Sequence, residues 1–503
     1  MLDRRAFLSG SAATGLSFGG SVALGETSAP GGIATPIEGA FGKDTRALGW
    51  VSPKSDRLDC RELALDGKLP ENLTGTLWRN GPAAHDRHGI RYRHWFDGDG
   101  MIQEFRFADG KVSHRGRMIK TPKLRHEDAA GRRIYPAFGT RLPGSAPVAG
   151  PDAMNVANIS VLDHGGELMA LWEGGSASVL DRETLDWQAF KSWGDGLKGL
   201  PFTAHPKRDP NGTLWAFGYA LIPSTSIVLY HISATGQIIK ATAVPVEPLG
   251  MVHDFVVTNL HLVIVIPPYV YDLDRGHTFL DGHIWKPELG ARVLIVSKNS
   301  FDDRRWVQLP PGFGFHHGNG WEEGNGTIHF DHCLAKDAGL VSDAFLDVMN
   351  GQFREVEPPT YCRISISKDG KADIRNTGEV AEFPQVSPLF TGIRNQFVYT
   401  LDSLGRKDWL PRMVVKRDLA GASAEKFDFG PGTVVEEHVF VPSPEGRFED
   451  DGWLVGTFLE HGKGVSGVTV FDARQVSAGP VATAWLPYQL PLGFHGQFSN
   501  PSG

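Results

Sequence analysis

From about Leu58 onward the chain alternates apolar and polar residues over short stretches and then breaks at paired turn residues. Gly75-Thr76-Leu77-Trp78-Arg79, Ile102-Gln103-Glu104-Phe105-Arg106-Phe107, Thr213-Leu214-Trp215-Ala216-Phe217 and Arg292-Val293-Leu294-Ile295-Val296 are such runs. Successive side chains of a strand point to opposite faces, so a period of two marks strands with one buried side. Between the runs lie Asp109-Gly110, Gly165-Gly166, Asn211-Gly212, Asn325-Gly326, Asp369-Gly370 and Asp451-Gly452. Such pairs tolerate the positive φ of tight hairpin turns. Helical periodicity is scarce, and Ala335–Asn350 is its best candidate. The pattern predicts an all-β chain with minor helical insertions.

Hairpins continue to the end of the 503 residues without a linker, which points to radial closure into a propeller of four-stranded blades. No WD or kelch signature recurs, so blade boundaries are not legible from repeats. The start is different. Asp3-Arg4-Arg5-Ala6-Phe7-Leu8 precedes an uncharged Gly/Ala/Ser-rich stretch, Ser9 to Leu24. This is the layout of a twin-arginine export signal, with mature protein starting between Gly25 and Gly32 and residing in the periplasm; a cytoplasmic or peripheral-membrane location is the alternative. The expected division is 1–30 as signal and arm and 31–503 as a single propeller domain with dome insertions.

Composition narrows the function classes. Net charge is −8 and pI about 6.2, which argues against a nucleic-acid partner. Cys60, Cys333 and Cys362 are too few and too scattered for a disulfide framework or a zinc site. No apolar run reaches the roughly 18 residues of a membrane-spanning helix. No dinucleotide fingerprint is present, so neither flavin nor nicotinamide is expected. Asp97-Gly98-Asp99-Gly100 lacks the ligand order of a calcium loop and reads as a structural turn.

The candidate chemistry is carried by histidine. Phe315-His316-His317-Gly318 follows a Gly/Pro-rich turn and leads into a strand-like run. Similar histidines stand in Ala204-His205-Pro206, Val252-His253-Asp254-Phe255 and Phe494-His495-Gly496. The gaps from His205 to His253 and from His253 to His316 each suit one blade, and the gap from His316 to His495 suits three. One inward histidine on each of four innermost strands would bring them to a single point on the axis. His317 neighbours His316 along a strand and should face the opposite way. His85, His88, His126, His164, His277 and His283 read as surface residues.

At these residues the chain resembles the carotenoid cleavage oxygenase family. The resemblance spans Gly75-Thr76-Leu77-Trp78-Arg79-Asn80-Gly81-Pro82, Phe96-Asp97-Gly98-Asp99-Gly100, His205-Pro206-Lys207, His253-Asp254-Phe255, Phe315-His316-His317, Glu382-Phe383-Pro384, Glu449-Asp450-Asp451-Gly452 and Phe494-His495-Gly496. It implies a seven-bladed β-propeller capped by a dome of loops and helices over one Fe(II) per chain. The ligands carried over are His205, His253, His316 and His495. Supporting carboxylates carried over are Glu173 for His253, Glu382 for His316 and Glu449 for His495, leaving His205 without one. Outer carboxylates orient imidazoles and raise their basicity, which four neutral ligands on a divalent ion require.

The implied reaction uses O2 to cleave a conjugated C=C bond into two carbonyls, with the electrons drawn from the alkene. The family's stilbene-cleaving branch resembles a pattern with Lys before the first supporting Glu and an upstream Tyr. Here Trp172 precedes Glu173, and Thr121–His126 holds no Tyr. An apolar apocarotenoid or carotenoid is therefore the expected substrate; a stilbene or phenylpropene substrate, or a non-cleaving polyene isomerase or carrier, are the alternatives. Ile264–Tyr271 and Leu340–Met349 are candidates for an apolar dome patch touching a membrane. Two departures stand out: Phe440-Val441-Pro442-Ser443 where Arg is usual last, and Glu436-Glu437-His438 where Glu-Pro is usual, both expected to lie away from the ligands.

Overall fold

The computed structural model describes residues 35–36 and 44–500, apart from 222–223, 273–274, 276–277, 404 and 406–408. The arginine pair, the apolar stretch after it, the 25–32 cleavage window and His277 lie outside the described residues. Seven antiparallel sheets surround an axis as a seven-bladed propeller. Five blades have four strands and two have five. From the axis outward, blade 2 begins with Ser160–His164, blade 3 with Lys207–Arg208 and blade 4 with Val256–Val257. Blades 5, 6 and 7 begin with His317–Glu322, Glu382–Gln385 and Thr433–Pro442.

Blades 1 and 7 close the ring, each using strands from both ends of the chain. In blade 1 the innermost strand, His495–Ser499, pairs with Gly75–Ala84, setting His495 opposite Asn80. In blade 7 the outermost strand, Ala64–Gly67, pairs with Ala482–Trp485. Stitching both ends into sheets leaves no free ring edge. Five of the six turn pairs put glycine at positive φ, whereas Asp451-Gly452 ends a longer loop and opens the strand Gly452–Glu460. Asp109 (φ 53°) and Gly110 (φ 69°) join Ala108 to Lys111 in a two-residue hairpin, and Gly165 and Gly166 do the same between His164 and Glu167.

Apolar faces of neighbouring blades pack on each other. Phe217, Ile227 and Leu229 of blade 3 meet Leu262, Ile264 and Val296 of blade 4, all buried. A separate cluster above the axis gathers Trp50, Trp95, Phe313, Phe315, Val341, Phe345 and Phe494 beneath the dome. The expected helix over Ala335–Asn350 is one irregular segment: a π turn at Leu340–Ala344, an α turn at Phe345–Asp347 and a 3-10 turn at Val348–Asn350. Its apolar residues Leu340, Val341, Phe345, Val348 and Met349 are buried, as are Ile264, Ile266, Tyr269 and Val270. These side chains of the two candidate membrane-touching stretches point inward: Ile264 and Ile266 pack between blades 3 and 4, and Tyr269 and the 340–349 residues pack in the cluster beneath the dome.

A helix that alternation did not reveal runs over Pro122–Ala130. Its signals are ordinary ones: the Thr121 hydroxyl caps Leu124 N–H, Pro122 opens it, and Gly131 (φ 61°) ends it. It carries Lys123 into a dry cluster. Lys123 Nζ donates to Tyr92 Oη (2.6 Å), Asp99 (2.8 Å) and Glu127 (3.0 Å). Arg133 Nη1 donates to the same three groups. The Asp97-Gly98-Asp99-Gly100 turn is thus held by protein partners, with Asp97 accepting from Gly139 N–H and the Thr140 hydroxyl.

Removing one member of that cluster leaves an uncompensated buried charge. Lys123→Met should therefore destabilise the fold by about 3–5 kcal/mol in chemical denaturation. A loss below about 1 kcal/mol, the range of exposed pairs, would show that the cluster is not dry.

Candidate metal centre

The four histidines sit where innermost strands begin, all at one end of the axis. His495 opens the inner strand of blade 1, and His316 immediately precedes that of blade 5. His205 and His253 stand just before those of blades 3 and 4. The loops that deliver them are tied down locally. The Thr203 hydroxyl accepts from His205 N–H. Asp254, buried, accepts from Phe255 N–H (2.7 Å), from His317 N–H (2.9 Å) and from Lys207 Nζ (2.7 Å). One carboxylate therefore ties together the three consecutive blades that carry His205, His253 and His316. Burial opposes its charge, yet the Lys207 ammonium holds the Asp254 carboxyl below the usual range. The adjacency of Asp254 to His253 in the sequence was the available signal for this role.

One ligand atom from each of His205, His253, His316 and His495 falls within 4.8 Å of the others. His205 Nε2 lies 2.9 Å from His253 Nε2, and His316 Nε2 lies 3.1 Å from His495 Nε2. Three of the rings are held from behind by carboxylates. His253 Nδ1 bonds Glu173 Oε2 at 2.6 Å, His316 Nδ1 bonds Glu382 Oε2, and His495 Nδ1 bonds Glu437 Oε1 at 2.9 Å. No carboxylate among the described residues bonds His205. Every blade contributes one side chain to this assembly: a histidine from blades 1, 3, 4 and 5, and a glutamate from 2, 6 and 7.

Glu449 does not belong to it. Its carboxylate accepts from Gln396 N–H and Phe397 N–H at the far end of the blades, in the loop after Thr433–Pro442. Glu437 holds His495 instead, and is fixed further by Arg79 Nη1 (3.0 Å), Gly496 N–H (2.7 Å) and Gln385 Nε2 (3.0 Å). The Glu436-Glu437-His438 departure thus lies at the centre rather than away from it. The reason is a break in register: pairing with Gly452–Glu460 jumps between Val435 and His438. A bulge suspends strict alternation, so two adjacent glutamates both reach inward. Strand periodicity assigns them opposite faces, which is why sequence reading missed them.

The remaining histidines also need correcting. His85, His164 and His283 are buried, not on the surface; His283 bonds the Phe279 carbonyl inside a box with Tyr269 and Tyr271. His85 lies in a loop, whereas His164 ends the innermost strand of blade 2 and His283 opens the strand His283–Trp285. His126 is exposed, and His317 turns from the axis to stack on His332 with centroids 4.6 Å apart.

The hydrogen bonds fix where lone pairs point. A carboxylate only accepts, so Nδ1 of His253, His316 and His495 carries the hydrogen and Nε2 the lone pair. The Nε2 atoms of His316 and His495, 3.1 Å apart, are then both free to donate to one shared cation. Burial, reinforced by the other histidines, pushes His205 well below the ordinary imidazole value. Burial lowers His495 to about 4 despite Glu437. Burial also works against His316, but Glu382 outweighs it and raises that ring. The 2.9 and 3.1 Å separations are short enough for both nitrogens of each pair to lie about 2.1 Å from one shared ion. The residues present therefore fit a single divalent metal ion held by imidazole nitrogens.

Above the nitrogens opens a cleft with about 90 Å3 open to the centre of a water-sized sphere. Its walls include Trp95, Phe96, Phe315, Phe345, Trp409 and Phe494, with Ile159, Leu340, Val434 and Leu492. Phe383 packs on His316 and His495 with centroids 4.9 and 5.3 Å away. No lysine, arginine or tyrosine lines it among the described residues. Trp172 does not line it either: its ring folds over Gly174 and Gly175, where an added Cβ would fall within about 3.1 Å of it.

Residues 52–500 match the family model described as retinal pigment epithelial membrane protein. An apocarotenoid-15,15'-oxygenase of Synechocystis sp. is 28% identical over 87% of this chain and 92% of its own. A lignostilbene-alpha,beta-dioxygenase (isozyme III) of Sphingomonas paucimobilis is also 28% identical, over 91% and 98%. Cobalt-substituted apocarotenoid oxygenase from Synechocystis superposes with a TM-score of 0.80 at 25% identity, covering 91% of this chain and 99% of that one. The motifs, the seven blades and the matched span lead to one conclusion: the chain belongs to the retinal pigment epithelial membrane protein family, that of the carotenoid cleavage oxygenases.

Proposed function

We propose that His205, His253, His316 and His495 hold one Fe(II), and that the protein uses O2 to cleave a conjugated C=C bond of an apocarotenoid or carotenoid into two carbonyl products. The observation that carries this reading is the set of converging imidazole lone pairs, three held by glutamates, at the base of an aromatic cleft. Bound iron would supply the site at which O2 is activated. The four electrons that O2 takes up come from the alkene itself, so no reductant or organic cofactor is needed.

The chain's own residues do the rest. Glu173, Glu382 and Glu437 keep the ring hydrogens at Nδ1, so that Nε2 remains free for the metal. The apolar walls exclude water and hold an extended polyene against the metal end of the cleft. Phe383, Phe315 and Phe494 present ring faces or edges there, and ring faces favour positive charge developing on the alkene carbons. Among the described residues a phenolate would find no cationic side chain in this cleft, which favours the polyene over a stilbene. The relatives' names span both substrate classes.

Iron-loaded protein given an apocarotenal and a hydroxystilbene under isotopically labelled O2 should yield labelled aldehydes from the former. Turnover of the stilbene alone would overturn the substrate class, and binding without O2 consumption would make the protein a carrier or isomerase. His495→Ala should fold yet fail to retain iron on gel filtration. Glu437→Gln should weaken iron retention about 10–100-fold, as outer-shell changes commonly do, while Glu449→Gln should leave it at the wild-type level. Equal iron loss in the two glutamate variants would return Glu449 to the centre.

A further inference from the structure

The propeller closes between blades 7 and 1, and the metal centre straddles that seam: His495 belongs to blade 1, and Glu437, which holds its ring, to blade 7. Arg79 crosses the seam. It stands on Gly75–Ala84, directly opposite Gly496 on the strand that carries His495, and is only 2% exposed. Its Nη1 donates to Glu437 Oε2 (3.0 Å), while Nη2 stands 3.5 Å from Glu436 Oε1. Two adjacent buried carboxylates of blade 7 thus share one guanidinium from blade 1. Gly496 makes room for it, since a Cβ there would fall 2.7 Å from Arg79 Cδ. The third nitrogen, Nε, is buried without a hydrogen-bond partner, and so is Thr457 Oγ1 on blade 7. Both residues line a small cavity that shares Glu436 and Gly493 with the cleft. About 20 Å3 of it is open to the centre of a water-sized sphere. One water needs roughly 10–15 Å3 by that measure. The two groups also suit a water, because Nε only donates whereas a hydroxyl donates or accepts.

We infer that Arg79 is a positioning residue for His495, acting through Glu437, and that one ordered water bridging Arg79 Nε and Thr457 Oγ1 completes its hold across the seam. This role rests on the proposed metal binding and deepens it. Glu437 Oε1 is committed to His495 Nδ1 and Gln385 Nε2. The plane of the carboxylate is therefore set from Oε2, where Arg79 and Gly496 N–H donate. A guanidinium there makes a charge-assisted bond, stronger than the one from the backbone amide. Without it two neighbouring carboxylates would repel one another in a buried setting, and Glu437 would turn away from the ring it holds. An ammonium is a poorer substitute, because only the planar fork faces two carboxylates with its Nη atoms while Nε holds a water. Glu173 and Glu382 hold His253 and His316 from other blades, so loss of Arg79 loosens the His495 bond to the metal and leaves those two supported.

The test loads wild type, Arg79→Met, Arg79→Lys and Thr457→Val with iron(II) or cobalt(II). Metal release to a chelator, the visible ligand-field bands of the cobalt form and a high-resolution crystal structure are compared. Arg79→Met should release metal about 10–100-fold faster than wild type, the range common for groups that support ligands, and its cobalt bands should shift. Arg79→Lys should recover part of that loss, because an ammonium still faces Glu437. Thr457→Val should release metal a few-fold faster, and the water seen between Arg79 and Thr457 in wild type should be gone. Lys123→Met is the control: though less stable, it should match wild type in release and bands while folded, which separates positioning from stability. If Arg79→Met does not fold, the lysine and valine variants carry the comparison. Wild-type release and bands in Arg79→Lys would overturn the inference, as would a His495–Glu437 bond that survives in Arg79→Met. A wild-type crystal without the water would overturn its part in the clamp. Wild type that retains neither metal would refute the metal centre instead, and the His495–Glu437 bond in the variant crystals would then decide the role of Arg79.

Discussion

Everything at the axis depends on which imidazole nitrogen carries the hydrogen. A free histidine exchanges its ring hydrogen between two positions and rotates at little cost. Here three glutamates, brought by three blades that carry no histidine of the cluster, take the Nδ1 hydrogens and leave the Nε2 lone pairs converging. Inter-blade packing and anchors such as Asp254 hold the strand starts, and with them the 3.1 Å spacing of these nitrogens, in place. The propeller's rigidity and the preorganisation of the four nitrogens are therefore two sides of one arrangement.

The dome and the blades divide the work. The blades set the nitrogens, and the dome closes an aromatic cleft over them with the irregular 340–350 segment and the residues around Trp95 and Phe96. Dome stability rests in part on the dry cluster of Tyr92, Asp99, Lys123, Glu127 and Arg133, which joins the Pro122–Ala130 helix to a blade 1 strand. Cleft shape is therefore coupled to a charge network that touches neither the metal site nor the cleft lining.

The all-β class, the hairpin turns and the four histidines were legible in the sequence because each has a local signature: period-two alternation, Asp-Gly or Gly-Gly pairs, and His beside small or aromatic residues at strand starts. Glu173 and Glu382 were legible through resemblance, and both reach the rings assigned to them. Glu437 was not, because a bulge breaks the alternation that would have separated it from Glu436, and a one-residue offset of this kind leaves no local mark. The buried state of His85, His164 and His283 was likewise invisible, since polar stretches in a loop or at a strand end read alike whether they are buried or face solvent. The inward turn of Leu340–Met349 was masked for the opposite reason: apolar residues look alike whether they face a membrane or a tunnel.

The placement of His495 on the strand that completes blade 1 has a consequence for the order of events during biosynthesis. Three of the four nitrogens belong to blades 3, 4 and 5, built from the middle of the chain, whereas the fourth arrives only when residues 495–499 dock against Gly75–Ala84. Until that strand docks, at most three of the four imidazoles can converge, so the fourfold arrangement is a product of ring closure rather than a nucleus for it.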